Sequence, residues 1–206
     1  MKESKIQFKD KTLPLITLIL ILIQSFQVSA IVALEESPLD IIKNRNKTVE
    51  EIIGDKDEIK GETKERLKDV INSFMDFNEF SRLALGKYWK ERTEQEKKDF
   101  ANVFQKLIRN SSVKKLEIYQ ADSLVYEEPE INGSKAKVTT IAYKKRKEFE
   151  ITYKMHKVDN EWKTYDMEID GVSTARNYRD SFYKQIAKTS YKEMYDKLVK
   201  RLESDK

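Results

Sequence analysis

The chain contains no cysteine. Disulfides, thiolate metal sites, iron–sulfur clusters and cysteine nucleophiles are therefore excluded. It contains one histidine, His156, which makes histidine-rich metal centres and histidine-dependent triads poor matches. Five glycines and three prolines in 206 residues leave little material for a Gly-rich phosphate loop or a long flexible linker. An excess of one charge is missing too. Forty Lys and Arg face 36 Asp and Glu, for a net charge of +4. That balance argues against a nucleic-acid partner and against an acidic tail protein.

What is present begins with an address. Lys2, Lys5, Lys9 and Lys11 precede an apolar run from Leu13 to Ile23. Val28 and Ala30 then stand at the −3 and −1 positions of a signal-peptidase site. Residues 1–30 read as a cleaved secretory signal peptide, because the run is short of the ~20 residues a spanning helix needs. An uncleaved anchor is the alternative, since no charge falls between Thr12 and Leu34. Cleavage predicts an exported, soluble domain over 31–206. Without disulfides, its core must supply its stability.

Hydrophobic periodicity divides that domain. Residues 38–119 read as helical. Leu39, Ile41, Ile42, Val49, Ile52 and Ile53 mark one helix that Gly54 can end, and residues 62–73 and 76–85 carry two more, the last stopped by Gly86. Thr93 with Glu96 is a capping box, followed by a stripe of Phe100, Val103, Phe104, Leu107 and Ile108. The period then changes to two. Strands are expected at 122–131, 135–143, 148–156 and 161–169, with turns at Asn132-Gly133 and Asp159-Asn160. Helices close the chain at about 174–187 and from Ser190, within 174–203. The fold class is α+β: a four-stranded antiparallel sheet over 122–170 with N- and C-terminal helices packed on one face.

Few residues suggest chemistry. His156 falls on the polar side of its strand and reads as solvent-exposed. Asp166, Glu168 and Asp170 could serve acid–base work, but an exposed rim pairing with Arg176 and Arg179 explains them as well. Those two arginines stand near a helix start, where the dipole disfavours cations, so they need a compensating anion: Asp166, Asp170 or a phosphate. Lys144, Lys145, Arg146 and Lys147 form a basic run at a hairpin tip. It is either a solvated turn or an attraction point for anionic headgroups or an acidic partner. The aromatic and methionine residues on the sheet and facing helices form either an ordinary core or the walls of an apolar cavity.

Two stretches together carry a resemblance. The first runs Phe74-Met75-Asp76-Phe77, Phe80-Ser81-Arg82, Leu85-Gly86 and Tyr88-Trp89, then Thr93, Gln95, Phe100 and Phe104. The second contains Trp162, Tyr165-Asp166, Asp170-Gly171-Val172-Ser173, Asn177-Tyr178-Arg179 and Phe182. In this combination and order they resemble the toluene-tolerance family of periplasmic phospholipid-binding proteins, the soluble carriers of the Mla lipid-asymmetry pathway. The likeness covers roughly 39–202. Two departures stand out: Ser111-Ser112 replaces a Thr-Tyr pair usual in the family, and the basic run 144–147 replaces a short glycine-containing turn.

The resemblance implies a curved antiparallel sheet and N- and C-terminal helices that enclose an apolar pocket, in a periplasmic, non-enzymatic, monomeric carrier with no cofactor, a bound phospholipid being its cargo. It also implies an inner-membrane transporter complex and an outer-membrane lipoprotein–porin complex as partners. Strand alternation then places Phe149, Ile151, Tyr153 and Met155 toward the lipid. Val138, Thr140, Tyr165, Met167 and Ile169 from neighbouring strands, with Phe100, Phe104, Tyr178 and Phe182 from helices, are expected to complete one pocket. A one-residue register error would invert any strand. The rival readings are a small exported enzyme using Asp166 or Asp170 as a base, and a structural adaptor with a filled core.

Overall fold

Ser37 and Pro38 start the first helix. Ser37 Oγ accepts the Asp40 N–H at 3.1 Å and Pro38 occupies the first turn, so α1 (Pro38–Ile53) opens with a good cap. Gly54, at φ 48°, ends it by returning its N–H to the Glu50 carbonyl. The computed structural model describes residues 36–54, 59–112 and 121–204. The signal peptide expected at 1–30 and the continuation of the long helix to 119 lie outside the described residues.

The next three helices follow the same logic. α2 spans Gly61–Asn72. α3 (Phe77–Leu85) is capped by Asp76, whose carboxylate accepts the Glu79 N–H at 3.0 Å, and is closed by Gly86 at φ 54°. A 3₁₀ turn (Gly86–Glu91) leads to α4 (Glu94–Ser112). Here the capping box forms in both directions: Thr93 N–H donates to Glu96 at 2.8 Å, and Glu96 N–H donates to Thr93 Oγ1 at 3.2 Å. After the sheet come α5 (Thr174–Lys188) and α6 (Tyr191–Ser204), the latter capped by Ser190.

The described sheet has six strands rather than four: β1 (Ser123–Tyr126), β2 (Glu130–Asn132), β3 (Lys135–Lys144), β4 (Lys147–Val158), β5 (Glu161–Ile169) and β6 (Val172–Ser173). The order is β1-β3-β4-β5-β6, all antiparallel, with β2 also on β3. The expected strand at 122–131 is two strands because Pro129 falls inside it. Proline has no N–H for a ladder, so β1 and β2 pair separately along β3. β6 is a two-residue return after the Asp170-Gly171 turn, with Ile169 opposite Val172.

Two hairpin turns need positive φ at both central residues and have it: Asp159 and Asn160 at 50° and 65°, Asp170 and Gly171 at 49° and 75°. The Asn132-Gly133 turn is displaced by one residue. Asn132 pairs with Lys135, so Gly133-Ser134 makes the turn.

One irregularity rearranges the faces. Between β4 and β5 the partners run Tyr153↔Met167 and Lys154↔Asp166, then jump to Met155↔Thr164. Tyr165 is the extra residue of a β-bulge. Met167 and Ile169 therefore share the face of Tyr153 and Ile151, whereas beyond the bulge Thr164 and Trp162 take over that face beside Met155. Tyr165, expected on the same face as Met167, instead lies against the His156 ring, with centroids 5.0 Å apart.

Three apolar clusters result. α3, α4, α5 and α6 enclose Phe80, Leu85, Phe100, Phe104, Phe182, Met194 and Leu198. One face of the sheet, with α1 and Phe74 against it, buries Ile42, Val138, Ile151, Tyr153, Met155 and Trp162. α1 and α2 share Val49, Ile52, Ile53, Leu67 and Ile71. Met75 is half-buried and packs against both the first and the second cluster. Its segment is stitched to the sheet by Asp76 N–H to the Thr164 carbonyl and Thr164 N–H to the Phe74 carbonyl, both at 2.8 Å.

Candidate functional site

The sheet face is the surface that the sequence nominates, and cross-strand pairing assembles it. Val138 stands opposite Tyr153, Thr140 opposite Ile151, and Ala142 opposite Phe149. Tyr153 is in turn opposite Met167, and Ile151 opposite Ile169. Val138, Thr140, Ile151, Tyr153 and Met155 are buried there, while Phe149 and Met167 are half-buried at its border. At one end α1 leaves a crevice of about 20 Å³, bordered by Asn46, Val49, Glu50, Leu124, Thr140, Ile151 and Tyr153. That is the space of one water-sized guest.

The helical members of the expected pocket are elsewhere. Phe100, Phe104 and Phe182 lie in the helix-only cluster with Tyr178 packed on it. Phe104 stacks 5.3 Å from Phe80, and meets Tyr178 at 5.0 Å and Phe182 at 5.5 Å. These are the separations of aromatic rings satisfying one another. The thirteen expected residues therefore do not share one surface. Spacing within one element does not say which core a residue enters, and at the bulge Tyr165 leaves the expected face altogether.

The carboxylates have structural work. Asp166 is buried, not at an exposed rim. It accepts Ser173 Oγ–H at 2.6 Å and Ala175 N–H at 3.0 Å, with Lys154 Nζ at 3.8 Å. It thus supplies the anion at the α5 N-terminus that Arg176 and Arg179 seemed to require, and it does so through main chain rather than through those side chains. Asp170 Oδ1 accepts the Glu150 N–H at 3.0 Å. Arg176 is exposed, and Arg179 approaches Asp180 at 3.6 Å.

His156 is not simply solvated. Its Nε2 lies 2.9 Å from Asp76 Oδ2, the same carboxylate that caps α3. Lys144 pairs with Lys147 to close a hairpin whose Lys145-Arg146 turn is exposed, so the basic run does sit at a tip. Asp122 accepts the Lys145 N–H there at 2.6 Å. Among the described residues, no group of three or more His, Asp or Glu gathers as a metal site, and no helix is long and apolar enough to cross a membrane.

Strand alternation missed a polar cluster on α1. Arg45 and Asn46 are buried against the sheet face, at 6% and 7% exposure. Arg45 lies over the Phe74 ring at 4.6 Å and the Tyr153 ring at 5.3 Å. Its Nη1 donates to Asn46 Oδ1 at 2.9 Å and to Tyr153 Oη at 3.0 Å. Asn46 Nδ2 donates to Tyr126 Oη at 3.1 Å. Burial pushes the Tyr126 phenol up from its ordinary pKa, and the Asn46 hydrogen bond opposes that rise. The signal was present in the sequence: Ile42, Arg45, Asn46 and Val49 fall on one helical stripe.

The site is thus an apolar sheet face covered by α1, with Asp166 and Asp170 committed to a helix start and a turn. The family model described as MlaC protein matches residues 43–203. The chain belongs to the MlaC family. Its fold is similar to that of a phospholipid-binding protein from Ralstonia solanacearum, solved in complex with a phospholipid. The TM-score is 0.69 at 17% identity, covering 81% of this chain and 97% of that one. The comparison with curated proteins found no match.

Proposed function

We propose that the protein is a periplasmic phospholipid carrier. It holds acyl chains against the sheet face and moves lipid between an inner-membrane transporter complex and an outer-membrane lipoprotein–porin complex. The observation that carries this reading is the continuous apolar face of Val138, Ile151, Tyr153, Met155 and Met167, roofed by a helix. Membership of the MlaC family supports it, as does the similar fold solved with a phospholipid.

Physical chemistry suits the role. Each buried methylene is worth ~0.8 kcal/mol, so a diacyl lipid crosses water slowly unless a protein offers an apolar surface of similar depth. Transfer then becomes an exchange between comparable environments. Met155 and Met167 adapt to chains of different length, and Tyr153 and Phe149 give stiffer walls. The enzyme reading loses support because Asp166 and Asp170 are both engaged in hydrogen bonds that shape the fold. The basic tip 144–147 suits the approach to anionic membrane or partner surfaces.

The test is native mass spectrometry of the purified protein, with organic extraction, before and after incubation with phospholipid vesicles. Bound phospholipid is expected in stoichiometric amount. A protein that neither carries phospholipid nor acquires it from vesicles is not a carrier.

A further inference from the structure

We infer that α1 is the movable cover of the lipid-facing sheet, and that Asn46, through Tyr126, is the latch that sets how fast lipid enters and leaves. The inference rests on the carrier reading above and deepens it. Val138, Thr140, Ile151, Tyr153 and Met155 are at most 5% exposed. Ile42 of α1 shares their cluster and is itself fully buried, with Leu39 and Ile41 packed alongside. The seam between α1 and the sheet holds a crevice of about 20 Å³, whereas sites for ligands of even drug size run to about 300–1,000 Å³. Acyl chains therefore reach these side chains after α1 and the sheet have parted.

Phe74 and α1 both cover the face, and they are fastened differently. Phe74 belongs to a segment joined to β5 through main chain, its carbonyl accepting the Thr164 N–H. α1 is fastened through side chains. Asn46 Nδ2 donates to Tyr126 Oη at 3.1 Å, Arg45 Nη1 donates to Tyr153 Oη at 3.0 Å, and Lys43 Nζ stands 5.6 Å from the centre of the Tyr126 ring. Water can replace such bonds, so parting them costs little net free energy. The other flank of α1 is apolar: Val49, Ile52 and Ile53 share a cluster with Leu67 and Ile71 of α2, and water offers that contact no substitute. The sheet side is also the imperfect side. The crevice lies in it, between Asn46, Val49 and Glu50 of α1 and Leu124, Thr140 and Tyr153 of the sheet. Thr140 Oγ1 is buried there without a hydrogen-bond partner among the described residues, and opening lets water reach it. Glu50 already faces solvent and does not oppose the opening. α1 therefore stays with α2 and parts from the sheet.

Asn46 and Tyr126 serve the test because neither belongs to the lipid-facing set. Breaking their bond leaves a buried polar group unpaired in the closed form, while water satisfies it in the open one. Delipidated protein is mixed with vesicles of phosphatidylethanolamine and phosphatidylglycerol that carry a self-quenched fluorescent phospholipid, and dequenching gives the loading rate. Tyr126→Phe and Asn46→Ala are expected to load about two- to tenfold faster than wild type, the equivalent of one net hydrogen bond. The amount bound at the end is expected to be unchanged and the Tm lower. A bond that served stability alone would lower the Tm without raising the rate. The chain has no cysteine, so Asn46→Cys combined with Tyr126→Cys supplies a unique pair for a short bismaleimide with a reducible linker. The bridged protein is expected not to load until reductant cleaves the bridge. Tyr126→Phe changes shape little and decides the matter if the cysteine pair does not fold. Bridged protein that loads at the unbridged rate overturns the inference and leaves the carrier reading intact, and so do wild-type rates in correctly folded Tyr126→Phe and Asn46→Ala. Wild type that takes up no phospholipid overturns both.

Discussion

The Tyr183 hydroxyl fills the space that a side chain on Gly86 would need. A Cβ on Gly86 would collide with the Tyr183 hydroxyl, and that hydroxyl accepts the Lys87 N–H at 2.7 Å. The glycine also sits at φ 54°, which other residues adopt at a cost. The contact ties the end of α3 to α5, 96 residues on. Gly86→Ala is expected to lower stability by about 2–3 kcal/mol. Tyr183→Phe, which frees the space but drops one hydrogen bond, should cost only about 1 kcal/mol. Urea unfolding of both variants and of their combination checks this, and the pair should be non-additive.

Asp166 is predicted to be a stability residue and not a base. Asp166→Ala removes the acceptor for Ser173 and Ala175 and leaves Lys154 with Glu168 alone, at 2.5 Å. A loss of about 2–4 kcal/mol is expected, with phospholipid loading per folded molecule unchanged. A variant that unfolds normally but no longer loads lipid would show that the carboxylate acts at the lipid itself.

The two apolar cores should separate experimentally. Tyr153→Arg places a second cation beside Arg45 on the sheet face and is expected to abolish lipid loading. Phe100→Ala, in the helical core, is expected to cost about 3–5 kcal/mol of stability while the surviving folded fraction loads lipid normally. Vesicle loading, normalised to folded protein by circular dichroism, distinguishes these outcomes. Equal loss of loading in both would mean that the helical aromatics also face the lipid.

Alkaline titration should reveal a late-ionising phenol at Tyr191. Burial, reinforced by the charge of Glu96, pushes the Tyr191 phenol up to about 12, against about 10 in the unfolded chain. The folded state then holds this proton more tightly than the unfolded state. Its contribution is full below pH about 10 and is lost as pH rises through about 12. Ultraviolet absorbance should show a phenolate appearing near pH 12 that is lost in Tyr191→Phe, and that variant's stability should fall less steeply over the same interval.

Lipid should act as part of the core. A ligand that binds only the folded state at one hundred times its Kd adds about 2.7 kcal/mol. Delipidated protein is expected to melt several degrees lower and to recover on reloading. Scanning calorimetry that gives the same Tm with and without bound phospholipid would contradict this.

Much of the fold was legible because its signals are local. The Thr93–Glu96 box, the Gly86 stop and the positive-φ turn at Asp159-Asn160 each depend on residues a few positions apart. What was illegible depends on partners far along the chain. The bulge at Tyr165 exists because β5 must serve β4 along its length and also pair with Phe74 and Asp76 at Thr164. Alternation within 161–169 cannot reveal that. The division of the aromatics into two cores is likewise a matter of which helices meet, not of how each is patterned. Arg45 and Asn46 are different: their stripe position was readable, but a cation and an amide between apolar residues look like the start of a polar face until the sheet is placed against them.

The interruption at Pro129 has a consequence beyond strand count. The rim of the sheet offers four residues of β1, then a gap, then three of β2. An intruding strand from another molecule needs a longer continuous ladder to gain a foothold, and a proline in the middle denies it one. Val125 and Ile131, exposed at 47% and 54% on this rim, would otherwise invite such polymerisation. The break in the rim thus guards crowded copies of the protein against growing into fibrils.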